Sequence, residues 1–262
     1  MIETEYKAMK LQHLSASRIK TFEQCPMQYH AKYELGVPDA HVHPLVNLGK
    51  TLHKMFEVST NARRLDRHEA IQDPFAVMDA AIRKYGMEDD LQDILKELTQ
   101  NAIDWGYFRK VNQCIGCEVK FYELLPDGTP VTGYIDRLDM PTPVTADIID
   151  LKTQKRKFTF EQLESNWQAD IYNWAVRRLH PHITGDVWVS FWVVRHMVQR
   201  VQRTADDAKR TEERLMEVAA EIRACEEPEM RPSILCNWCP HKKECPAKNE
   251  NLKQRLKRKT SK

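Results

Sequence analysis

The hydrophobic period of the chain changes near residue 110, and this change limits the folds that it can adopt. Upstream, apolar residues recur every three or four positions, as in amphipathic helices. Downstream, five short segments rich in β-branched and aromatic residues predict strands. Helices are expected at about 159–179, between the third and fourth strands, and at about 206–226. The order predicts an α/β domain. The predicted strands are CEVKFYELL, VTGYIDRLD, ADIIDLKT, DVWVSFWVV and HMVQRVQRT.

The upstream region is predicted to be helical. A first helix begins at Ser17, a residue that favours helix N-caps, and Pro26 restarts it, so that Cys25 lies at the joint. A second, amphipathic helix is marked by apolar residues at three- and four-residue spacing, namely Leu45, Leu48, Leu52, Met55 and Phe56.

We expect one domain over residues 1–247. It would comprise a mainly helical part at 14–110, a sheet core at 111–203, and a helix with a cysteine segment at 204–247. Residues 248–262 contain seven basic residues and one acidic residue, and predict a basic tail.

Bulk properties narrow the class of protein. The N-terminal sequence MIETEYKAMK lacks the apolar stretch of a signal peptide, and no segment approaches the roughly 18 apolar residues of a membrane helix. We therefore expect a soluble, cytoplasmic protein with no membrane partner. The seven cysteines are then expected to be thiols or metal ligands rather than a disulfide framework.

Two predicted strands bring acidic residues together. In ADIIDLKT, the period of two places Ile148, Asp150 and Lys152 on one face. A hairpin centred near Pro143 places Asp136 opposite Asp150. Two carboxylates in one small volume repel each other unless a cation lies between them, and hard oxygen ligands favour Mg²⁺ or Mn²⁺. Lys152 would then orient a water molecule at the ion or help to deprotonate it.

Simpler interpretations of these segments remain open. For the Asp-Leu-Lys triplet alone, an ion pair on a half-exposed strand is the more general explanation. His53 lies one turn after Gly49, beside the apolar stripe, where a histidine is typically a packing residue. The GKT sequence in this helix is not a phosphate loop, because that motif needs glycine where the chain has Pro44.

Gln168 and Tyr172 share one face of the helix after the third strand.

Together these residues resemble the RecB-type branch of the PD-(D/E)XK nuclease superfamily. The sequence SASRIKTFEQCPMQY also resembles the opening helix of that branch, and the resemblance extends from about Leu14 to Pro246. It implies a restriction-endonuclease-like core, with a mixed central β-sheet flanked by helices, and hydrolysis of DNA phosphodiesters. The motifs occur in the order of the family: His53, Asp136, Asp150-x-Lys152 and Gln168-x-x-x-Tyr172.

The resemblance also implies a role for each residue. Lys152 would position the attacking water, while Gln168 and Tyr172 would steady the active site and the DNA backbone. Glu118 matches a frequent acidic position of the family, or is a salt-bridge partner. Four groups would bind Mg²⁺ or Mn²⁺: His53, Asp136, Asp150 and the main-chain carbonyl near Leu151.

The segment CNWCPHKKECP, residues 236–246, has three cysteines, one fewer than a soft-metal site normally uses. The iron–sulfur members of this branch take one cysteine from the N-terminal helix and three from the C-terminal end. The resemblance therefore implies a 4Fe–4S cluster bound by four thiolates. These are Cys25, Cys236, Cys239 and Cys245.

Structural zinc is the alternative cofactor. By pattern alone, Cys114 and Cys117 could join Cys236 and Cys239 in a four-cysteine zinc site, or His241 could complete a local one. If the cluster is present instead, the cysteines outside it are expected to be ordinary, partly buried thiols. They are Cys114, Cys117 and Cys225.

The predicted function is a metal-dependent DNA exonuclease acting at DNA ends, in recombination, repair or CRISPR spacer acquisition. A structure-specific endonuclease and a catalytically silent DNA-binding or assembly subunit are the alternatives. Expected partners are DNA ends, including single-stranded ones, and a helicase, recombinase or CRISPR-adaptation protein. The basic tail would hold the DNA backbone or be merely solvated, and Trp238 would stack on an unpaired base or belong to the core.

Overall fold

The computed structural model describes residues 9–39, 44–66, 69–243 and 245–247, and the basic tail lies outside these ranges. Within them, no helix combines the length and the apolar character needed to cross a membrane. The helices are α1 (Ala16–Gln24), α2 (Pro26–Tyr29), α3 (Pro44–Arg64), α4 (Met78–Tyr85), α5 (Gln92–Asp104), α6 (Phe160–Glu164), α7 (Trp167–Leu179) and α8 (Ala205–Ala224). The strands are β1 (Cys114–Leu124), β2 (Pro130–Thr142), β3 (Thr145–Lys152), β4 (Val187–Val193) and β5 (Met197–Arg203).

The strands form one mixed sheet in the order β1-β2-β3-β4-β5. Strands β2 and β3 pair antiparallel, β3 and β4 pair parallel, and β4 and β5 pair antiparallel. The parallel pair requires a crossover, which α6 and α7 provide. The predicted α/β fold, a mixed sheet flanked by helices as in a restriction-endonuclease-like core, is confirmed.

The last residues of strand β3 alternate between an apolar core and charged groups that contact α7. Ile149 and Leu151 are nearly fully buried in a cluster that includes Leu48 and Leu52 of α3. The alternate residues Asp150 and Lys152 contact side chains of α7 instead. The burial of one apolar face fixes the register of β3, since a slip of one residue would place both charged groups in the core.

The helix boundaries differ from the predicted ones in two places. The first helix is capped by the side chain of Ser15 rather than by Ser17. The helix predicted at about 159–179 is two helices, separated at Ser165 and Asn166. The division arises because the Asn166 side chain accepts hydrogen bonds from the first main-chain N–H groups of α7, which makes it an N-cap.

The chain divides into two compact units. Of the described residues, the first comprises 9–39, 124–131, 214–243 and 245–247, and the second comprises 44–66, 69–123 and 132–213.

In the first unit, the C-terminal segment is tied to the opening helices by main-chain groups. Met27 N donates to Glu229 O over 3.1 Å, and Arg231 donates to Glu23 O over 2.7 Å. Cys25 lies between α1 and α2, as predicted, because Pro26 begins a new helix and Cys25 itself is extended.

Candidate active site

The pairing of β2 with β3 brings two carboxylates together. Arg137 pairs with Ile149, so that Asp136 lies across from Asp150, in the predicted register. Asp136 also accepts a 2.8 Å hydrogen bond from the main-chain N–H of Leu151. Its position is therefore fixed by the main chain of the neighbouring strand.

His53 of α3 reaches the same place from the helical side. Its Nε2 donates to Leu151 O over 2.9 Å, and its Nδ1 lies 3.3 Å from Asp136 Oδ2. Glu118 of β1 completes a group in which the candidate ligand atoms of His53, Glu118 and Asp136 all lie within 4.8 Å of one another. The sequence marked Glu118 as a secondary candidate, and the structure places it beside the other two.

The backbone of β1 is irregular where Glu118 occurs. Glu118 has φ of +50°, a left-handed conformation that costs a non-glycine residue about 1–3 kcal/mol. A regular strand would continue the strict alternation of side chains from one face to the other. The unusual main-chain conformation thus accompanies the placement of the Glu118 carboxylate in the site.

Gln168 connects Lys152 and Asp150. Its Oε1 accepts from Lys152 Nζ over 2.9 Å, and its Nε2 donates to Asp150 Oδ1 over 2.8 Å and to Tyr172 Oη over 2.6 Å. Lys152 Nζ also lies 2.6 Å from Asp150 Oδ2. The hydroxyl of Tyr172 donates to Tyr134 O over 2.6 Å, which links α7 to β2. No sequence pattern indicated this role for the Tyr134 carbonyl.

Burial and neighbouring charges give the two aspartates different acidities. Burial raises the pKa of Asp150 to about 6, and the charge of Asp136 adds to this effect while Lys152 opposes it. For Asp136, burial also favours the neutral form, but the His53 cation and Lys152 outweigh it, and the pKa is lowered. Burial favours neutral His53, yet Asp136 and Asp150 prevail and raise the pKa of His53 to about 9. Burial raises the pKa of Glu118.

The donor set fits a hard divalent cation. It combines one imidazole nitrogen with the carboxylates of Glu118 and Asp136, and the Leu151 carbonyl lies 2.9 Å from the imidazole. Such oxygen-rich sets suit Mg²⁺ and Mn²⁺. Asp150, another predicted ligand, lies outside the group of three and is engaged by Lys152 and Gln168.

The four cysteines predicted as cluster ligands all belong to the first unit. Burial raises the pKa of the Cys239 thiol, and the negative charges of Cys245, Cys25 and Cys236 raise it further. All four side chains are free thiols of intermediate exposure. Four cysteine thiols are a donor set that either an iron–sulfur cluster or a zinc ion uses.

The other sulfur and nitrogen candidates have different neighbours. Cys114 and Cys117 belong to the second unit, where their sulfur atoms are 3.9 Å apart. His241 is buried and its Nε2 lies 3.3 Å from Asp39. Trp238 is 70% exposed, so the interpretation of it as a core residue is wrong.

Comparison with known proteins agrees with this fold, which is that of an α/β nuclease. A model of the PD-(D/E)XK nuclease superfamily matches residues 13–246. Because the match covers most of the chain, the chain belongs to this superfamily.

The individual proteins that resemble this chain have low sequence identity to it. The chain is 23% identical, over 164 residues, to a subunit of the ATP-dependent helicase/deoxyribonuclease of Streptococcus agalactiae serotype Ia, and the same values hold for the corresponding protein of serotype V. The match covers 57% of this chain but 15% of that relative. The crystal structure of a putative exonuclease from Eubacterium rectale has a similar fold, with a TM-score of 0.56, 13% identity, and coverage of 92% of this chain and 93% of that one.

Proposed function

We propose that the chain is a DNA nuclease that depends on Mg²⁺ or Mn²⁺ and removes nucleotides from DNA ends. One observation carries the proposal: His53, Glu118 and Asp136 converge, while Asp150 and Lys152 lie beside them in one hydrogen-bonded group. A purely structural ion pair would not require the imidazole and the additional carboxylates.

Each side chain would have a distinct task. His53, Glu118, Asp136, Asp150 and the Leu151 carbonyl would hold the divalent ion. The ion would supply Lewis acidity at the scissile phosphate. Lys152 would hold the attacking water and donate to its oxygen.

Gln168 would keep Lys152 and Asp150 at a fixed separation. Its amide bridges both groups, at 2.9 and 2.8 Å. Tyr172 would orient this amide through its 2.6 Å contact, and it is itself fixed by the Tyr134 carbonyl. Such preorganised polar groups lower the cost of arranging the site during reaction.

The names of two similar proteins support two parts of this proposal, namely the action on DNA ends and a helicase as the partner. A relative is named as a subunit of a helicase/deoxyribonuclease, and a protein of similar fold is named a putative exonuclease. We propose by analogy that this chain degrades strands that a helicase partner opens, in recombination or repair. We also propose CRISPR spacer acquisition as a process in which the chain would remove nucleotides from DNA ends.

We also propose that Cys25, Cys236, Cys239 and Cys245 bind a 4Fe–4S cluster, as in the iron–sulfur members of the RecB-type branch. All four residues belong to the first unit, and the charges of Cys25, Cys236 and Cys245 act on the Cys239 thiol, which supports this set. A cluster there would join the N-terminal helices to the C-terminal segment within the first unit, and so contribute to folding. Zinc bound by the same four sulfurs is the competing cofactor.

Digestion of end-labelled DNA tests the catalytic proposal. Linear double-stranded, linear single-stranded and circular DNA would be incubated with wild type and Asp150→Asn, in manganese, magnesium or chelator. Asp93→Asn, an exposed acid of α5, is the matched control. Progressive loss of linear DNA by wild type and the control, but not by Asp150→Asn or in chelator, is expected.

The same digestion separates the alternatives. Cleavage of circular DNA would indicate an endonuclease. Absence of cleavage of every substrate by metal-loaded protein that binds DNA would indicate a silent binding subunit. Iron and zinc analysis, together with visible absorbance of anaerobically purified protein, decides between cluster and zinc.

A further inference from the structure

A basic loop, residues 153–159, follows Lys152 directly. Its sequence is TQKRKFT, and Lys155, Arg156 and Lys157 are all exposed. The loop has no acidic residue. Among the described residues, none of the three cations forms an ion pair, whereas exposed lysines elsewhere, such as Lys96, have an acidic partner. Three adjacent charges therefore remain available to an anionic ligand.

The main chain of the basic loop is fixed by the hairpin of β4 and β5. His196 Nε2 donates to Lys155 O over 2.8 Å. The Gln199 amide accepts from Phe158 N and donates to Phe158 O, each over 2.9 Å. A loop that is ordered before binding loses less conformational entropy when it engages a ligand. The cations are thus presented on a preformed surface.

The basic loop begins beside the candidate active site. The centre of the Phe191 ring lies 5.9 Å from Lys152 Nζ and 5.1 Å from the centre of the Phe158 ring. A polyanion bound along the loop would therefore extend from the position of the scissile phosphate.

Phe160, the first residue of α6, is 74% exposed. Its backbone is held by a capping box in which Thr159 and Gln162 exchange hydrogen bonds of 3.3 and 3.0 Å. Within residues 153–166, all of which are described, Phe160 is the only large apolar side chain that is exposed. A protein-docking surface would need a contiguous patch of several hundred Å².

We propose that the basic loop and Phe160 form the binding surface for an unpaired DNA strand entering the active site. The cations contact successive phosphates, and the Phe160 ring stacks on a base. A phenylalanine has no hydrogen-bonding group and gains from nucleic acid only by stacking, which requires a base whose face is free. The substrate is therefore a single-stranded end. This inference rests on the proposed function as a DNA nuclease.

Equilibrium binding tests the inference separately from catalysis. Fluorescence anisotropy would measure the Kd of a short single-stranded oligonucleotide and of a blunt duplex in chelator, where turnover is absent. The variants are Phe160→Ala, Phe160→Trp and the triple variant Lys155→Ala, Arg156→Ala, Lys157→Ala.

Two matched controls accompany these variants. Leu65→Ala removes an exposed apolar side chain, and the triple change Arg83→Ala, Lys84→Ala, Lys96→Ala removes three exposed cations. All substituted positions are on the surface, and melting temperatures establish that each variant is folded. Cleavage by wild type in manganese is measured in parallel.

We expect Phe160→Ala to weaken single-strand binding by about 5- to 150-fold, and Phe160→Trp to restore it. Duplex binding by Phe160→Ala should be unchanged. The triple change in the loop should reduce the slope of log K against log salt by about 2 for single strands, since each phosphate contact contributes about 0.7.

Unchanged single-strand binding by Phe160→Ala overturns the inference and leaves a protein partner as the occupant of Phe160. An equal loss on duplex and single strand also overturns it, as does an equal loss in the controls. If wild type cleaves DNA while these results fail, the proposed function stands and the binding surface lies elsewhere. If wild type binds single strands through Phe160 but cleaves nothing, the nuclease proposal fails instead.

Discussion

Removing the charge of Asp150 is predicted to stabilise the metal-free protein while it abolishes cleavage. Asp150 is 1% exposed, and burial together with the charge of Asp136 raises its pKa from 3.8 to about 6. The contact with Lys152 is already included in this balance, because Lys152 acts in the opposite direction. The ionised carboxylate is therefore less stable in the folded chain than in the unfolded one.

The size of this effect follows from linkage. Each pH unit between 3.8 and about 6 corresponds to about 1.4 kcal/mol, so the ionised Asp150 side chain destabilises the fold by about 3 kcal/mol at neutral pH. Below pH 3.8 the carboxyl group is protonated in both states and the effect is absent. It grows as the pH rises to about 6 and is constant above that value.

Asp150→Asn removes the charge at every pH. We expect it to raise the free energy of unfolding in chelator by about 1–3 kcal/mol at neutral pH. The lower figure applies because the new amide has one acceptor oxygen where the carboxylate has two, so that either the Lys152 ammonium or the Gln168 amide must face an N–H group. Near pH 4 the two proteins should have almost equal stability.

Denaturant unfolding in chelator, near pH 4 and at neutral pH, measures this difference. Asp93→Asn, whose parent side chain is 91% exposed, is the control and should change little. Added Mn²⁺ should stabilise wild type more than Asp150→Asn, because ligand binding to the folded state raises its stability. Cleavage by Asp150→Asn should fall at least about 100-fold. A folded Asp150→Asn that is less stable than wild type at neutral pH in chelator would refute the reasoning.

Three further predictions concern Gln168, the divalent metal site and the cysteine cluster. Gln168→Ala should lower the single-turnover cleavage rate about 10- to 100-fold, because Lys152 and Asp150 lose their common hydrogen-bond partner; an unchanged rate would remove Gln168 from the catalytic group. Binding of Mn²⁺ at neutral pH should release about one proton, since the pKa of His53 is about 9 in the metal-free protein. Calorimetry in buffers of different ionisation enthalpy measures the release, and a buffer-independent heat would contradict it. Cys25→Ser should lose iron, visible absorbance and thermal stability, whereas Cys225→Ser should retain all three; full iron content in Cys25→Ser would exclude it as a ligand.

The sheet and its central register were predictable because local signals agree there. Strand β3 alternates between residues of the apolar core, Ile149 and Leu151, and the charged Asp150. The turn near Pro143 then leaves one register that places Asp136 across from Asp150 and keeps Ile149 and Leu151 in the apolar core. When pattern and turn chemistry indicate the same arrangement, the sequence specifies it strongly.

Other features depend on contacts that a linear pattern does not contain. The boundary at Asn166 is set by a side chain that caps α7, although the apolar period continues across it. Gln168 was placed on the correct face, but its bridge between Lys152 and Asp150 depends on how α7 packs on β3. The tertiary packing, rather than the helix period, decides this contact.

Glu118 was a secondary candidate in the sequence because its placement depends on an irregular main-chain conformation that a linear pattern does not contain. This conformation also affects the stability of the site. The Glu118 φ of +50° and the raised pKa of the buried Asp150 both oppose folding of the metal-free chain. They persist because α3 and β3 are held together by a well-buried apolar cluster that includes Leu52 and Leu151. The core therefore supplies the stability that a strained, charge-dense site lacks. A divalent ion bound by the carboxylates would relieve part of the electrostatic cost, so the folded protein and its metal should stabilise each other.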